Sequence, residues 1–262
     1  NGLSNSYFMI KELLYTIPKH KHTVEDLKTI LNLHPEIKFV SLVGVDLSGN
    51  DTDEKIPVSL FLDDIDTFLN GVAAQTDGSS VVLPGIATLN NAKVDMVADL
   101  NCNWFVDYNY DFIDPIVNKP IGTLRIPCFL LHNDIAVDSR NILKSAISTF
   151  KETLWTIFNE NPKILEGYKI SKDDIEEIVI TSATELEFWV KTPNNIAEIE
   201  ELHTSQALHE QYWTRTKGTV RTAMEECLLL MEEYGFEPEM GHKEVGGVKA
   251  KLDASGSFNH IM

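Results

Sequence analysis

Two hydrophobic periodicities alternate along this chain and predict which segments are helices and which are strands. Apolar residues recur at helical spacing in TVEDLKTILNLH, which a capping box at residues 23–26 opens and Pro35 closes. The β-branched run IKFVSLVGVDL then predicts a strand, and KIPVSLFL predicts a second strand after a turn at residues 48–51. The segment LDDIDTFLN predicts a short helix, followed by a turn at residues 77–80.

The rest of the first half continues the strand pattern. Three more strands are predicted in this half, at residues 93–97, 103–108 and 122–131. Residues 1–132 are therefore predicted to be a small sheet with one or two helices, an α+β unit. Residues 1–8 have no periodicity and precede Met9, so we set them aside as an expression remnant.

The second half changes to longer alternating elements. Asp138 begins a helix that is predicted to end at Pro162, and EEIVITSATELEFWVK predicts the strand after it. The helix KGTVRTAMEECLLLMEEYG ends at Gly235, and a strand containing GHKEV is predicted to follow it. Residues 133–262 thus alternate strand and helix, as α/β domains do.

Composition excludes several functional classes. The net charge of −18 leaves no basic patch to neutralise phosphates, which argues against nucleic acids and anionic membranes as partners. There is no apolar run of membrane-spanning length and no signal-peptide pattern. The 3 cysteines are widely spaced without a CxxC pair, which argues against a zinc ribbon and favours a reducing compartment. We therefore expect a cytoplasmic protein.

Two acidic clusters suggest a metal site. On a strand, Glu185 and Glu187 would point to the same face, and so would His242 and Glu244. If the two strands are neighbours, three carboxylates and an imidazole converge, and oxygen ligands suit Mg²⁺ or Mn²⁺. The alternative is a solvated strand face with two surface carboxylates, and spacing alone favours that alternative.

Six segments, taken in order, resemble the glutamine synthetase family. They are FVSLVGVDLSGN, TDGSS, VDMVAD, TLRIPCFLLHNDIAVDSR, TELEFW and MGHKEVGG. TDGSS is similar to that family's FDGSS loop, TELEFW to its G-x-E-x-EFF strand, and HKEV to its HHEV segment. The resemblance implies an N-terminal β-grasp domain over residues 1–132 and the first part of the catalytic domain over residues 133–262.

The resemblance also implies an activity. Enzymes of this family use ATP to phosphorylate the γ-carboxylate of glutamate, and ammonia displaces the phosphate. Mg²⁺ or Mn²⁺ ions clamp the phosphates, as phosphoryl transfer requires. The active sites form between neighbouring subunits of a homo-oligomer. The implied partners are therefore glutamate, ammonium, ATP and further copies of the chain.

The family's site residues carry over position by position. Glu185 and Glu187 resemble glutamates that bind different metal ions, and Glu244 resembles a second ligand of the metal bound by Glu187. His242 stands beside them as a further candidate ligand. Glu239 matches a nucleotide-contacting glutamate.

Four other residues resemble the substrate-binding positions. Asp77 and Ser80 look like the pair that binds ammonium from the adjacent subunit, where the aspartate takes a proton from ammonium. Asp95 resembles another acidic residue of that region. Tyr212 matches, more loosely, a tyrosine at the ammonium pocket.

The chain also departs from the family pattern. A metal-binding glutamate is expected eight residues after Glu244, where this chain has Leu252, with Asp253 next to it. The family's later metal-binding histidine and its substrate-binding arginines would lie beyond Met262. We therefore expect the front portion of such an enzyme, inactive by itself. The alternatives are a γ-glutamyl-amine or polyamine ligase of the same family, and a non-catalytic relative that binds nucleotide or metal.

Overall fold

The computed structural model describes residues 13–192, 218–242 and 258–261. The chain divides into two compact units, Asn1–Ile180 and Thr181–Met262. A domain boundary between residues 132 and 133 stays a prediction.

The first unit contains eight described strands and five described α-helices. The strands are β1 (Thr16–Ile17), β2 (Ile37–Gly44), β3 (Glu54–Pro57), β4 (Ala74–Asp77), β5 (Lys93–Ala98), β6 (Trp104–Ile113), β7 (Pro120–His132) and β8 (Ile135–Ala136). The helices are α1 (Val24–Leu33), α2 (Val58–Asp63), α3 (Ile65–Asn70), α4 (Ser139–Glu160) and α5 (Lys163–Glu166).

One sheet contains all eight of these strands. Its main order is β1-β6-β7-β2-β3, with β5 and β8 also paired to β7 and β4 paired to β5. The β2–β7 pair is parallel and the other pairs are antiparallel. A largely antiparallel sheet with separate helices is an α+β arrangement, so the predicted fold class is confirmed.

The core lies against the long central strand β7. Leu124, Ile126 and Leu130 of this strand are fully buried. Leu27 and Leu31, on the apolar stripe of α1, are buried as well. Thr23 is the helix N-cap, because its hydroxyl accepts a hydrogen bond from the Asp26 N–H at 3.1 Å. The Asp26 carboxylate accepts from the Thr23 hydroxyl at 2.9 Å, whereas a full capping box would use the Thr23 N–H, so only half of the predicted box forms.

One predicted strand in this unit is wrong over half its length. The strand pattern in KIPVSLFL continues only to Pro57, and α2 begins at Val58. Pro57 has a fixed φ of −56° and lies at the helix N-cap, where the absence of an N–H is tolerated. Phe61 on α2 is fully buried, and packing of this side chain outweighs the β-propensity of the segment.

Helix α4 follows the sequence prediction closely. Asp138 is its N-cap and is fully buried, and its carboxylate accepts hydrogen bonds from the N–H groups of Asn141 and Leu130, both at 2.9 Å. One side chain therefore caps the helix and attaches it to β7. The apolar side chains of α4 include exposed ones, among them Leu143 and Phe150.

The second unit contains strands β9 (Trp189–Thr192) and β10 (Phe258–Ile261), which pair antiparallel, and helix α6 (Gly218–Glu233). The helix ends as predicted, because Gly235 has a φ of 78° and closes a C-terminal cap. The long strand predicted over residues 176–191 is wrong for most of its length. Residues 176–188 form neither helix nor strand, and only the last part of the segment joins a ladder.

The predicted strand around His242 is not formed in its described part, since residues 236–242 are neither helix nor strand. Alternation of apolar and polar residues is not sufficient for a strand, because the backbone N–H and C=O groups also need a partner strand to hydrogen-bond with. Within the described residues, no helix is both long enough and apolar enough to cross a membrane.

Candidate amine and metal sites

The β4–β5 hairpin brings two of the predicted substrate residues together. Asp77 lies opposite Lys93 in the ladder, and Gln75 lies opposite Asp95. Directly opposed residues share a face of the sheet, so these four polar side chains lie on one face. The diagonal pair Asp77 and Asp95 is then about 7–8 Å apart. Residues 18 positions apart in sequence thus form one polar surface.

The opposite face of the hairpin explains why the register is fixed. Val94 and Met96 alternate with the polar residues of β5 and are fully buried. A slip of one residue would expose both and bury Lys93 and Asp95 instead.

Asp77 is part of a tight turn that keeps its carboxylate ionised. Its Oδ1 accepts a hydrogen bond from the Ser79 N–H at 2.8 Å, and its carbonyl oxygen accepts one from the Ser80 N–H at 2.8 Å. Hydrogen bonds from Ser79, first the side chain and then the backbone, lower the pKa of Asp77 against a small opposing effect of burial. A carboxylate with a lowered pKa is a weak base, which suits attraction of a cation better than proton abstraction.

Lys93 supplies the positive charge on this face. Its Nζ is 3.2 Å from Asp95 Oδ1, at ion-pair distance but without the alignment of a hydrogen bond. Asp95 Oδ1 is buried and has no hydrogen-bond donor among the described residues. The Lys93 carbonyl oxygen accepts from His132 Nδ1 at 2.8 Å, which fixes the proton on that ring nitrogen. His132 Nε2 then accepts from Asn133 at 3.1 Å.

Asp46, two residues after β2, holds the segment that follows the turn of residues 77–80 against the sheet. It is 2% exposed, and its Oδ2 accepts a hydrogen bond from the Val82 N–H at 2.9 Å. Its Oδ1 accepts from the N–H groups of Ser48 at 2.8 Å and Asn50 at 3.0 Å. Burial raises the pKa of Asp46, but these hydrogen bonds outweigh burial and the net pKa is lowered.

We predict that Asp46→Ala lowers the free energy of unfolding by about 2–4 kcal/mol, because three backbone N–H groups lose their acceptor. Urea denaturation of the chain at neutral pH measures this change. Since the folded pKa of Asp46 is lowered, its contribution is present above the unfolded pKa and is lost as the pH falls through the folded pKa. The difference between the variant and wild type should therefore shrink in acid. A difference that is independent of pH would contradict the charged hydrogen-bond role.

The candidate metal and nucleotide ligands belong to the second unit. Glu185, Glu187 and Glu239 are exposed, and His242 is half-buried. Gly241 approaches α6 closely: a Cβ built at this position would be 3.1 Å from side-chain carbons of Met224 and Leu228. The backbone next to His242 is therefore held against the helix.

The described residues do not by themselves form a metal site. Within the described ranges, no group of three or more His, Cys, Asp or Glu side chains is placed to hold a metal ion. Glu185, Glu187 and His242 are all described, so these three do not make such a cluster without further ligands. Glu244 and Tyr212 lie outside the described residues, and the complete ligand set stays a prediction. Carboxylate oxygens and an imidazole nitrogen are ligand types that Mg²⁺ and Mn²⁺ accept. The described residues of this set are not placed close enough together to bind an ion by themselves.

A buried arginine network on the same sheet was missed by sequence reasoning. Arg125 of β7 is 8% exposed and donates hydrogen bonds to Asp51 and, at 2.7 Å, to Asp53. Ser41 and Lys55 also donate to Asp53, at 2.8 and 3.1 Å. An arginine in an otherwise apolar strand was the available signal, because a buried guanidinium requires acidic partners. The network fixes β3 against β2 and β7.

Comparison with solved structures finds distant likenesses, whereas the sequence comparisons find none. No family model matches the sequence, and no curated protein matches it significantly. A solved structure described as a GmaS/ADP complex aligns over 90% of this chain, with a TM-score of 0.40 and 15% identity. The chain spans 43% of the length of that protein. A likeness of this size establishes neither a common fold nor a common function.

Proposed function

We propose that this chain is part of an ATP-dependent ligase of the glutamine synthetase type, which joins an amine to the γ-carboxylate of glutamate. The observation that carries the proposal is the pairing of β4 with β5. It places Asp77 of the TDGSS turn and Asp95 of the VDM segment on one polar face. Two motifs that resemble the family's substrate-binding segments are thus neighbours in space.

The chemistry of the polar face supports a role in amine binding. Asp77 is an exposed carboxylate, and the Ser79 hydrogen bonds lower its pKa further below neutrality. An ionised carboxylate attracts ammonium and holds it where an acyl phosphate can be attacked. Ser80 is the adjacent exposed hydroxyl on the same turn and offers a further hydrogen-bond partner.

The phosphoryl-transfer part of the proposal rests on the second unit. Glu185, Glu187, Glu244 and His242 would hold Mg²⁺ or Mn²⁺, and Glu239 would contact the nucleotide. The metal would neutralise charge on the transferred phosphoryl group. We also propose that the protein acts in the cytoplasm as a homo-oligomer, with Asp77 serving the site of a neighbouring subunit.

The direct test is ADP release by the full-length protein with glutamate, Mg²⁺ or Mn²⁺, and ammonia or a larger amine. The proposal predicts ADP release that requires both glutamate and an amine, and comparison of the amines identifies the substrate. Absence of amine-dependent turnover with either metal would refute the proposal.

We predict that Glu187→Gln weakens Mn²⁺ binding by about 10-fold or more, because the neutral amide is a poorer ligand than the carboxylate. Titration of Mn²⁺ followed by electron paramagnetic resonance measures the affinity without requiring turnover. Glu166→Gln, an exposed position on α5, is the control for loss of one negative charge. Equal Mn²⁺ affinity in wild type and Glu187→Gln would remove Glu187 from the metal site.

A further inference from the structure

Lys93 places a positive charge between two carboxylates on the surface proposed to bind a positively charged amine. It lies directly opposite Asp77 across the β4–β5 ladder and two residues before Asp95 on its own strand. It therefore stands on the same face as both carboxylates. Its side chain ends in a primary ammonium group, the chemical group that an amine substrate carries in its protonated form.

The carboxylates of Asp95 and Asp77 differ in whether a positive charge lies close enough to neutralise them. Asp95 is 17% exposed, and Lys93 Nζ lies 3.2 Å from its Oδ1. That oxygen is buried without a hydrogen-bond donor in the described part of the chain, so Lys93 is its electrostatic partner. Asp77 is exposed, and it forms no ion pair with any described residue.

The backbone of Lys93 is held in place while its head group reaches solvent. Its carbonyl oxygen accepts a hydrogen bond from His132 Nδ1 at 2.8 Å, and its N–H donates to Asn91 at 3.3 Å. The side chain is 48% exposed. These contacts fix the backbone from which the side chain extends, and the ion pair with Asp95 holds the ammonium group on this face.

We propose that Lys93 is a specificity-determining residue of the amine site. Its ammonium group neutralises Asp95 and leaves Asp77 as the one uncompensated carboxylate of this face among the described residues. The surface then offers one negative charge, which matches a singly charged amine such as ammonium. A diamine would bring a second positive charge close to Lys93 and be repelled. This inference rests on the proposed ligase function and specifies its amine class.

Lys93→Met should weaken this selectivity. Removing a like charge about 7–8 Å from an amine bound at Asp77 should lower the KM for ammonium about two- to threefold in the full-length protein, with little change in kcat. The KM for 1,3-diaminopropane should fall further, by about 10-fold or more, because Asp95 becomes available to its second ammonium group. Lys93→Arg, which keeps the charge, should behave as wild type. The differences should diminish at high ionic strength, as expected for partly exposed charges.

Lys28→Met is the matched control, because Lys28 is an exposed lysine on α1 and its loss changes the net charge equally. If wild type turns over ammonia and Lys93→Met leaves both KM values unchanged, the specificity role is wrong while the ligase function stands. If neither wild type nor the variants show amine-dependent turnover, the ligase function fails and the specificity role fails with it. Circular dichroism of each variant verifies that the fold is retained.

Discussion

Asp77→Asn in the full-length protein is expected to lower amine-dependent turnover at least about 100-fold. The substitution keeps an oxygen that can accept the Ser79 N–H and so preserves the turn. It removes the negative charge that, in the proposed function, attracts ammonium and holds it for attack. A positioned charge or base of this kind typically contributes 10²–10⁴-fold to the rate, as an order of magnitude. Steady-state ADP release at varied ammonium concentration measures the loss.

The control for Asp77→Asn is Asp63→Asn, an exposed aspartate at the end of α2 that loses the same charge away from the β4–β5 face. Its turnover should equal that of wild type. If Asp77→Asn retained wild-type kcat and KM for ammonium, Asp77 would have no role in amine binding, and the polar face would not be the amine site.

Trp104→Ala is expected to lower the free energy of unfolding of this chain by about 3–5 kcal/mol, because a large buried ring is replaced by a cavity. Trp104 is fully buried in β6 and stacks on His22 with ring centroids 3.8 Å apart. Its Nε1–H donates a hydrogen bond to the Asp99 carbonyl oxygen at 3.0 Å. The ring therefore joins three separate segments of the first unit. Urea denaturation followed by far-ultraviolet circular dichroism measures the change.

Trp104→Phe separates packing from hydrogen bonding at the same position. It keeps an aromatic ring against His22 but loses the donor to Asp99, so a smaller loss of about 1–2 kcal/mol is expected. A loss below about 1 kcal/mol for Trp104→Ala would mean that the site collapses around the smaller side chain. In that case Trp104 would not be a principal support of the sheet.

The local elements were predictable where short-range chemistry decides them. Thr23 and Asp138 were identified as helix N-caps from residue type, and both accept the expected backbone hydrogen bond. Gly235 was identified as a helix end and has the positive φ that glycine tolerates. These features depend on neighbours within a few residues, which a single sequence displays directly.

The strands were less predictable, because a strand depends on a partner that periodicity does not reveal. Residues 176–188 have the composition of a strand and form none, whereas KIPVSLFL becomes partly helical around the buried Phe61. The Arg125 network was also missed, since its acidic partners Asp51 and Asp53 lie more than 70 residues earlier, in the connection between β2 and β3. Competition between local propensity and tertiary packing explains each of these differences.

The sequence by itself determined the α+β class, the helix ends and the residue types of the candidate sites. It also supplied the ordered motifs that suggest a glutamine synthetase type of ligase. Only the tertiary structure decided that Asp77, Lys93 and Asp95 share one face, because the β4–β5 register is set by burial of Val94 and Met96 on the other. The structure also decided which carboxylate is neutralised, because Lys93 Nζ lies 3.2 Å from Asp95 on its own strand and is not at ion-pair distance from Asp77 across the ladder.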